Sequence, residues 1–328
     1  MFPIDTARAV AVMPAPSAPG AAGYFTDGNA GTGVPATILP AEFLNMVMVE
    51  MINLVAAGGL VPAKGDYTQI ASAVKKIALA SQVGVVGAAR NASMNVTAAS
   101  STATFTADEL VVESALGGLR YCLANFNAPI NLASTGVGGM DTGSAPTSGF
   151  VGIYAIYNPT SGAKGLLGVN ATLAKVPEVY AGVNMPVGYT TSALISVWGT
   201  DSTGKLLPGA QRDRSIGFAP RAILITSAQT GISWSSFNIA GISVAAVPRN
   251  ARRVKGTTII NGSTAATMAM YVAADSNGMD SGGGTYGPNV QGGGNFDSII
   301  ATEQTLFYQA SIGAGTPGFS AAATRYDF

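Results

Sequence analysis

Residues 40–59, PAEFLNMVMVEMINLVAAGG, encode a helix with almost no polar side. Only Glu42, Asn45, Glu50 and Asn53 interrupt the apolar run. A surface helix of a globular protein shows one apolar stripe and one charged face. A helix that is apolar all round has to be covered on several sides, and that requirement limits how the whole chain can fold. Pro40 suits the first turn of such a helix, and Gly58-Gly59 suit its end. Asp66 then opens a second helix, with Gln69 placed to complete a capping box. Ile70, Val74, Ile77 and Ala78 follow at helical spacing. Residues 40–82 therefore read as a helix pair. Two short helices cannot enclose so much apolar surface alone. The expected cover is copies of the same chain in a parallel cluster about a threefold axis. Phe43, Leu44, Val47, Met48, Met51, Leu54 and Val55 are the expected trimerisation residues. Burial against β-modules of the same chain is the competing reading.

The flanks differ sharply from this segment. Residues 1–39 are rich in Pro, Gly and Ala, which favours extended backbone. This arm cannot build a core, so it is expected to be disordered or laid along a partner. After about residue 83, short runs rich in Val, Ile, Thr and Tyr alternate with Gly, Asn, Asp and Ser clusters. Residues 154–167 read as strand, turn and strand, and 197–207 repeat the pattern around Asp201-Ser202-Thr203-Gly204. The fold class is therefore mainly β: an extended arm, a short helical segment, then β-sandwich or jelly-roll-like modules. The expected boundaries are 1–39, 40–82, 83–217 and 218–328, the last set at Gly217-Phe218-Ala219-Pro220. Residues 276–295, SNGMDSGGGTYGPNVQGGGN, read as a long glycine-rich loop in the distal module.

Composition excludes several classes of function. Charged residues are only 10% of the chain, against about 25% in an average soluble domain. Lys plus Arg and Asp plus Glu both number 17, so no broad positive field exists to hold nucleic acid. The apolar helix is short for a bilayer and holds two Glu and two Asn, which argues against membrane insertion. The N-terminus lacks the basic start and long apolar run of a signal peptide. Histidine is absent, which removes Ser-His-Asp and Cys-His catalysis and histidine-built zinc sites. GTGVPA at 31–36 lacks the Lys and helix start of a phosphate loop and reads as a turn. The single cysteine, Cys122, lies in the apolar run LRYCLANF and is expected to be a buried thiol. No cofactor or metal set is read from the sequence. DSNGMD at 275–280 has oxygen ligands at short spacing but lacks the pattern of a calcium loop, so a turn is expected.

Paired carboxylates can hydrolyse glycosidic bonds, and Asp108, Glu109, Glu113, Asp275, Asp280 and Asp297 are the candidates. Asp108-Glu109 read more simply as the start of a strand or a turn, and no β-helix repeat is present. A non-enzymatic binding protein is the expectation. Arg249, Arg252, Arg253 and Lys255 form the one basic cluster. Guanidinium forks grip phosphates and carboxylates, so this cluster is a candidate phosphate contact; a solvated turn or an intersubunit ion pair is the alternative. Of the rings Trp198, Trp234, Phe237, Tyr271, Tyr286 and Phe296, the expected sugar-binding ones are Tyr286 and Phe296 in the glycine-rich stretch, followed by Trp234. Trp198 reads as core.

GYFTDGNAGTGVPATILPAEFLN followed by GGLVPAKGDYTQIASAVKKI resembles the N-terminal module of tailed-bacteriophage tail fibres. Gly23, Phe25, Gly28, Thr32, Pro35, Ala36, Glu42, Phe43, Leu44 and Asn45 match that pattern, as do Gly59, Leu60, Pro62, Lys64, Asp66, Thr68, Gln69 and Ile70. A second, less specific resemblance to fibre β-modules covers MDTGSAPTSGFVGIYAIYNPTSGAKGLL and MPVGYTTSALISVWGTDSTGKLLPGAQRDRSI. Pro40 departs from the pattern, since a hydroxyl cap is expected there, and no family motif is found after about residue 220. The resemblance implies a homotrimer in the virion tail, with the arm docked on tail or baseplate proteins. It also implies that the C-terminal β-region meets a host-surface polysaccharide or lipopolysaccharide.

Overall fold

The structure is a computed structural model. It describes residues 2–80, 84–227, 231–241, 246–261, 267–287, 292–314 and 318–328. The chain forms two compact units, Met1–Val83 and Gly84–Phe328.

The first unit holds helices α1 (Ala41–Ala57) and α2 (Gln69–Ala80). Pro40 precedes α1 without a side-chain cap. Gly59, at φ 67°, ends the helix, and Leu60 N–H donates to the Val55 carbonyl. The capping box expected at Asp66 does not form. Asp66 Oδ1 instead accepts from the Thr68 N–H and hydroxyl, while Gln69 reaches back to Val61 and Ala63. Gln69 is more useful there, because it pairs polar backbone groups in the turn between the helices. Gly58 lies so close to α2 that an added Cβ would come within 2.6 Å of the Ala73 Cα. Val55 is the one buried residue of the 17 in α1. Of the other expected trimerisation residues, Phe43, Val47, Met48, Met51 and Leu54 are half-buried and Leu44 is exposed. The arm is almost wholly exposed, yet it touches its own helices. Phe25 meets the Phe43 ring edge-on at 5.1 Å. The Ser17 N–H and hydroxyl both donate to the Glu42 carboxylate, and Asp5 pairs with Lys64.

The second unit is all β. Its proximal strands are β1 (Ala89–Arg90), β2 (Ser93–Val96), β3 (Thr102–Glu113), β4 (Arg120–Asn131), β5 (Gly139–Met140), β6 (Phe150–Tyr157), β7 (Lys164–Asn170), β8 (Thr191–Gly199) and β9 (Gly209–Arg212). β3 and β4 form a long antiparallel hairpin from Thr102↔Asn131 to Glu113↔Arg120. β6 lies between β7 and β8, and all nine residues of β8 are buried. That accounts for the continuous apolar runs FVGIYAIY and SALISVW, since strands covered on both faces cannot alternate. The turn expected after Tyr157 is present. Asn158 Oδ1 accepts from the Thr160 and Ser161 N–H groups, and Gly162 sits at φ 75°. Trp198 is core as expected, and its indole N–H donates to the Leu207 carbonyl at 2.8 Å.

The distal strands are β10 (Ser215–Ser227), β11 (Gly231–Asn238), β12 (Arg253–Asn261), β13 (Met268–Ala273), β14 (Gly282–Tyr286), β15 (Gly292–Ile299), β16 (Thr305–Ile312) and β17 (Gly318–Asp327). Antiparallel pairing gives one sheet in the order β10-β17-β12-β15 and another in the order β11-β16-β13-β14. Among the described residues, a Gly283↔Asn295 pair joins them at β14 and β15. Both sheets send residues into one core, among them Leu224, Val254, Met270, Phe296, Leu306, Tyr308 and Phe319. The boundary expected at 217/218 falls inside β10. Gly217 and Phe218 pair with β9, and Ala222–Ser227 continue along β17. A strand shared in this way ties both halves into one unit, and glycine and proline at 217–220 mark a shift of register within it.

Gly256 lies where an added Cβ would come within 2.1 Å of the Ala322 carbonyl oxygen and 2.5 Å of the Phe296 ring. Gly256→Ala is therefore expected to destabilise the protein by about 1–3 kcal/mol through overpacking. The midpoint of urea denaturation tests this, and an unchanged midpoint would contradict it.

Candidate functional site

Where it is described, the glycine-rich segment is a turn followed by two paired strands, β14 and β15, and not an open loop; residues 288–291 lie outside the described part. Its glycines serve close backbone approach. A Cβ on Gly283 would meet the Met270 carbonyl oxygen at 2.1 Å, and one on Gly294 would meet Gly283 at 2.4 Å. This overturns the expected roles of both leading rings. Phe296 is 2% exposed in the core, and Tyr286 is packed against that core, its ring lying over Gly292.

Each cation of the basic cluster has a carboxylate partner within the chain. Arg249 pairs with Glu303. Arg252 and Arg214 share Glu178, at 3.2 and 2.8 Å. Arg253 and Lys255 share Asp297, at 2.9 and 3.0 Å, and Asp280 stands 3.8 Å from Arg253. These are intrachain pairs, which neither the phosphate-site reading nor its alternatives anticipated.

The candidate carboxylates are similarly engaged. Glu113 is buried on Arg120 at 2.8 Å and also accepts from the Gly117 N–H. Asp108 and Glu109 lie in the middle of β3, exposed, with Asp108 accepting from the Asn91 amide. Asp275 Oδ1 accepts from the Met279 and Asn277 N–H groups, and these bonds hold its carboxyl below the usual range. DSNGMD is thus a turn capped by its own first side chain. Partial burial works against the charge of Asp297. The Lys255 ammonium and Arg253 guanidinium outweigh it and hold the carboxyl below the usual range. Among the described residues, no group of three or more Cys, Asp or Glu is placed to hold a metal ion. None of the described helices is long and apolar enough to cross a membrane.

Cys122 is exposed, contrary to expectation. β4 buries Leu123 and, past a break in its alternation at Asn125 (φ 49°), Phe126 and Ala128, and leaves Cys122 exposed beside Val111. Partial desolvation and the neighbouring Glu109 carboxylate push its thiol up to about 11. That favours the protonated thiol over the nucleophilic thiolate at neutral pH.

One surface combines the features that the expected residues lack. The sheet β11-β16-β13-β14 contains no Asp, Glu, Lys or Arg in any of its four strands. Buried positions alternate along β13 and β16: Met268, Met270 and Val272, then Leu306, Tyr308 and Ala310. Tyr271 and Phe307 occupy intervening positions and are half-buried outside the core. Tyr271 pairs across strands with Gln309 on one side and Gly283 on the other. Its hydroxyl lies 2.8 Å from that of Thr285. Phe307 is flanked by Ser236 and Ala273. Trp234 is also half-buried outside the core, with its indole against Gly278 of the Asp275 turn. Trp234 and Tyr271 were visible as rings in the sequence. Phe307 and Thr285 were missed, although the alternation of TLFYQASI and its freedom from charge were there to be read. No protein-family model and no curated protein matches the chain.

The folded carboxyl of Asp297 lies below its unfolded value, so its contribution to stability is complete above the ordinary carboxylate range. It is lost as pH falls through the folded value. Asp297→Asn should therefore flatten the acid limb of melting temperature against pH as pH falls below the ordinary carboxylate range. Parallel acid limbs for the two proteins would contradict the pairing.

Proposed function

We propose that this protein is a homotrimeric bacteriophage tail fibre, a structural and receptor-binding component of the virion tail. Residues 1–39 attach it to tail or baseplate proteins, α1 and α2 trimerise it, and the distal strands bind a host-surface glycan. The observation that carries this reading is α1, a nearly all-apolar helix in which only Val55 of 17 residues is buried in a single chain and the rest are half-buried or exposed. Such a surface is stable only when something apolar covers it. The tail-fibre resemblance of residues 23–70 supports copies of the chain as the cover. The groove of about 590 Å³ between the arm and α1 is lined by Met13, Pro16, Phe25, Phe43, Met46 and Val49, more apolar surface of the same kind.

The distal pairing orders β10-β17-β12-β15 and β11-β16-β13-β14 support a jelly-roll reading of residues 215–327. The engagement of Asp275, Asp280, Glu113 and Asp297 in turns and ion pairs supports a binding role over hydrolysis by paired carboxylates. Three copies of one weak site, held together, raise avidity without any new contact.

One chain is 32.9 kDa. Light scattering of the full chain should give a closed trimer of about 99 kDa, and a truncated chain lacking residues 1–82 should fall to a monomer. Labelled protein should adsorb to susceptible bacterial cells, and periodate oxidation of their surface glycans should abolish adsorption. A monomeric full chain, or adsorption unaffected by periodate, would overturn the reading.

A further inference from the structure

We propose that the charge-free sheet β11-β16-β13-β14 is the glycan-binding face, and that its ligand is an uncharged pyranose chain and not a phosphorylated one. This rests on the glycan-binding reading above and assigns its site and ligand class.

Charge is segregated between the two distal sheets. β10, β12, β15 and β17 carry Arg221, Arg253, Lys255, Asp297, Arg325 and Asp327. The four strands of the other sheet carry none. An anionic ligand laid on that sheet would lose hydration without gaining a cation, which is costly. The Arg249–Lys255 cluster lies outside that sheet, on β12 and the turn before it, and each of its cations already has a carboxylate partner in Glu303, Glu178 or Asp297. An uncharged sugar meets neither obstacle.

A pyranose presents an apolar C–H face and a rim of hydroxyls. The sheet offers matching groups. Trp234, Tyr271 and Phe307 are half-exposed rings outside the buried core cluster, and aromatic rings supply large apolar contact area, with a polar edge on Trp234 and Tyr271. The Tyr271 and Thr285 hydroxyls, 2.8 Å apart, form a fixed donor–acceptor pair beside one ring. Gly283, the cross-strand neighbour of Tyr271, has no side chain to stand beside the ring on that strand. Ser236 and Ser311 add hydroxyls on the same sheet. Pockets that fix a ligand's orientation use this mixture of apolar surface and a few placed polar groups.

The chain has two tryptophans: Trp198 is buried at 1% exposure, and Trp234 is half-exposed. Emission changes on ligand addition therefore report on Trp234. The full trimeric chain would be titrated with dextran, mannan and galactan, and separately with glucose 6-phosphate and polyphosphate. The expected result is a saturable change with at least one neutral polysaccharide, insensitive to molar salt. Tyr271→Ala should weaken it roughly tenfold or more, equivalent to about 1.4 kcal/mol. Tyr271→Phe should weaken it less, and Thr285→Val, a milder change at an exposed position, should reproduce the loss of the hydroxyl pair. A response confined to the phosphorylated probes and lost in salt would overturn the proposal, as would no response to any probe. A Tyr271→Ala protein whose trimer mass changes would overturn it too, marking the sheet as a subunit interface. If periodate-sensitive adsorption to cells survives intact in Tyr271→Ala and Thr285→Val, this inference fails while the glycan-binding reading stands.

Discussion

Strand β17 is hydrogen-bonded along both edges, to β10 on one side and β12 on the other, over nearly its whole length. Its last residues reach into the proximal half. The Tyr326 hydroxyl, fully buried, donates to the Val197 carbonyl at 2.6 Å. Burial at that depth pushes the phenol far above its usual range, so it remains a neutral donor. Beyond it, Arg214 closes the junction. Its guanidinium binds Glu178 by two bonds, donates to the Phe328 carbonyl and lies 4.8 Å from the Phe328 ring. Asn250 adds a pair of bonds to the backbone of Val176. The C-terminal strand thus determines that residues 84–328 form one unit.

That junction also bears on where charge can go. The ionic groups of the distal half collect on the sheet that contains β17 and on the turns beside it, where Arg249, Arg252, Arg253 and Lys255 each find a partner within reach. Exposed pairs of this kind contribute little stability each, at most about 1 kcal/mol. Their effect is on what the surface can recognise: they consume the guanidinium groups that would otherwise attract anions. The opposite sheet is left to rings, hydroxyls and amides. In the first unit the same scarcity of charge leaves α1 with little but apolar surface. Both features follow from a chain with only 10% charged residues.

The mainly β class, the two helices and the turn at Asn158 were readable because each depends on local chemistry: alternation, proline and glycine punctuation, and an Asx turn. The 217/218 boundary was misread because Gly-Phe-Ala-Pro looks like a linker, whereas long-range pairing with β9 and β17 makes it strand. The glycine runs misled for a related reason. Glycine signals freedom when isolated, but at 282–284 and 292–294 it permits two backbones to approach, which only the neighbouring strand reveals. Phe296 is thereby placed in the core, and Tyr286 is packed against it. The partners of Arg249, Arg252 and Arg253 lie 44 to 74 positions away in sequence, beyond the reach of spacing arguments. Cys122 shows the opposite failure, since an apolar neighbourhood in sequence is split between two faces by a strand.

Native-state amide hydrogen exchange tests the central claim most directly, because it measures the free energy of opening strand by strand. If β17 makes residues 84–328 one cooperative unit, the central amides of β8, β12 and β16 should share one highest opening free energy. They should fall together as urea is added. A distal set, β11 to β16, that opens at distinctly lower free energy while β6 and β8 stay protected would contradict the account and divide the β-region into two independent domains.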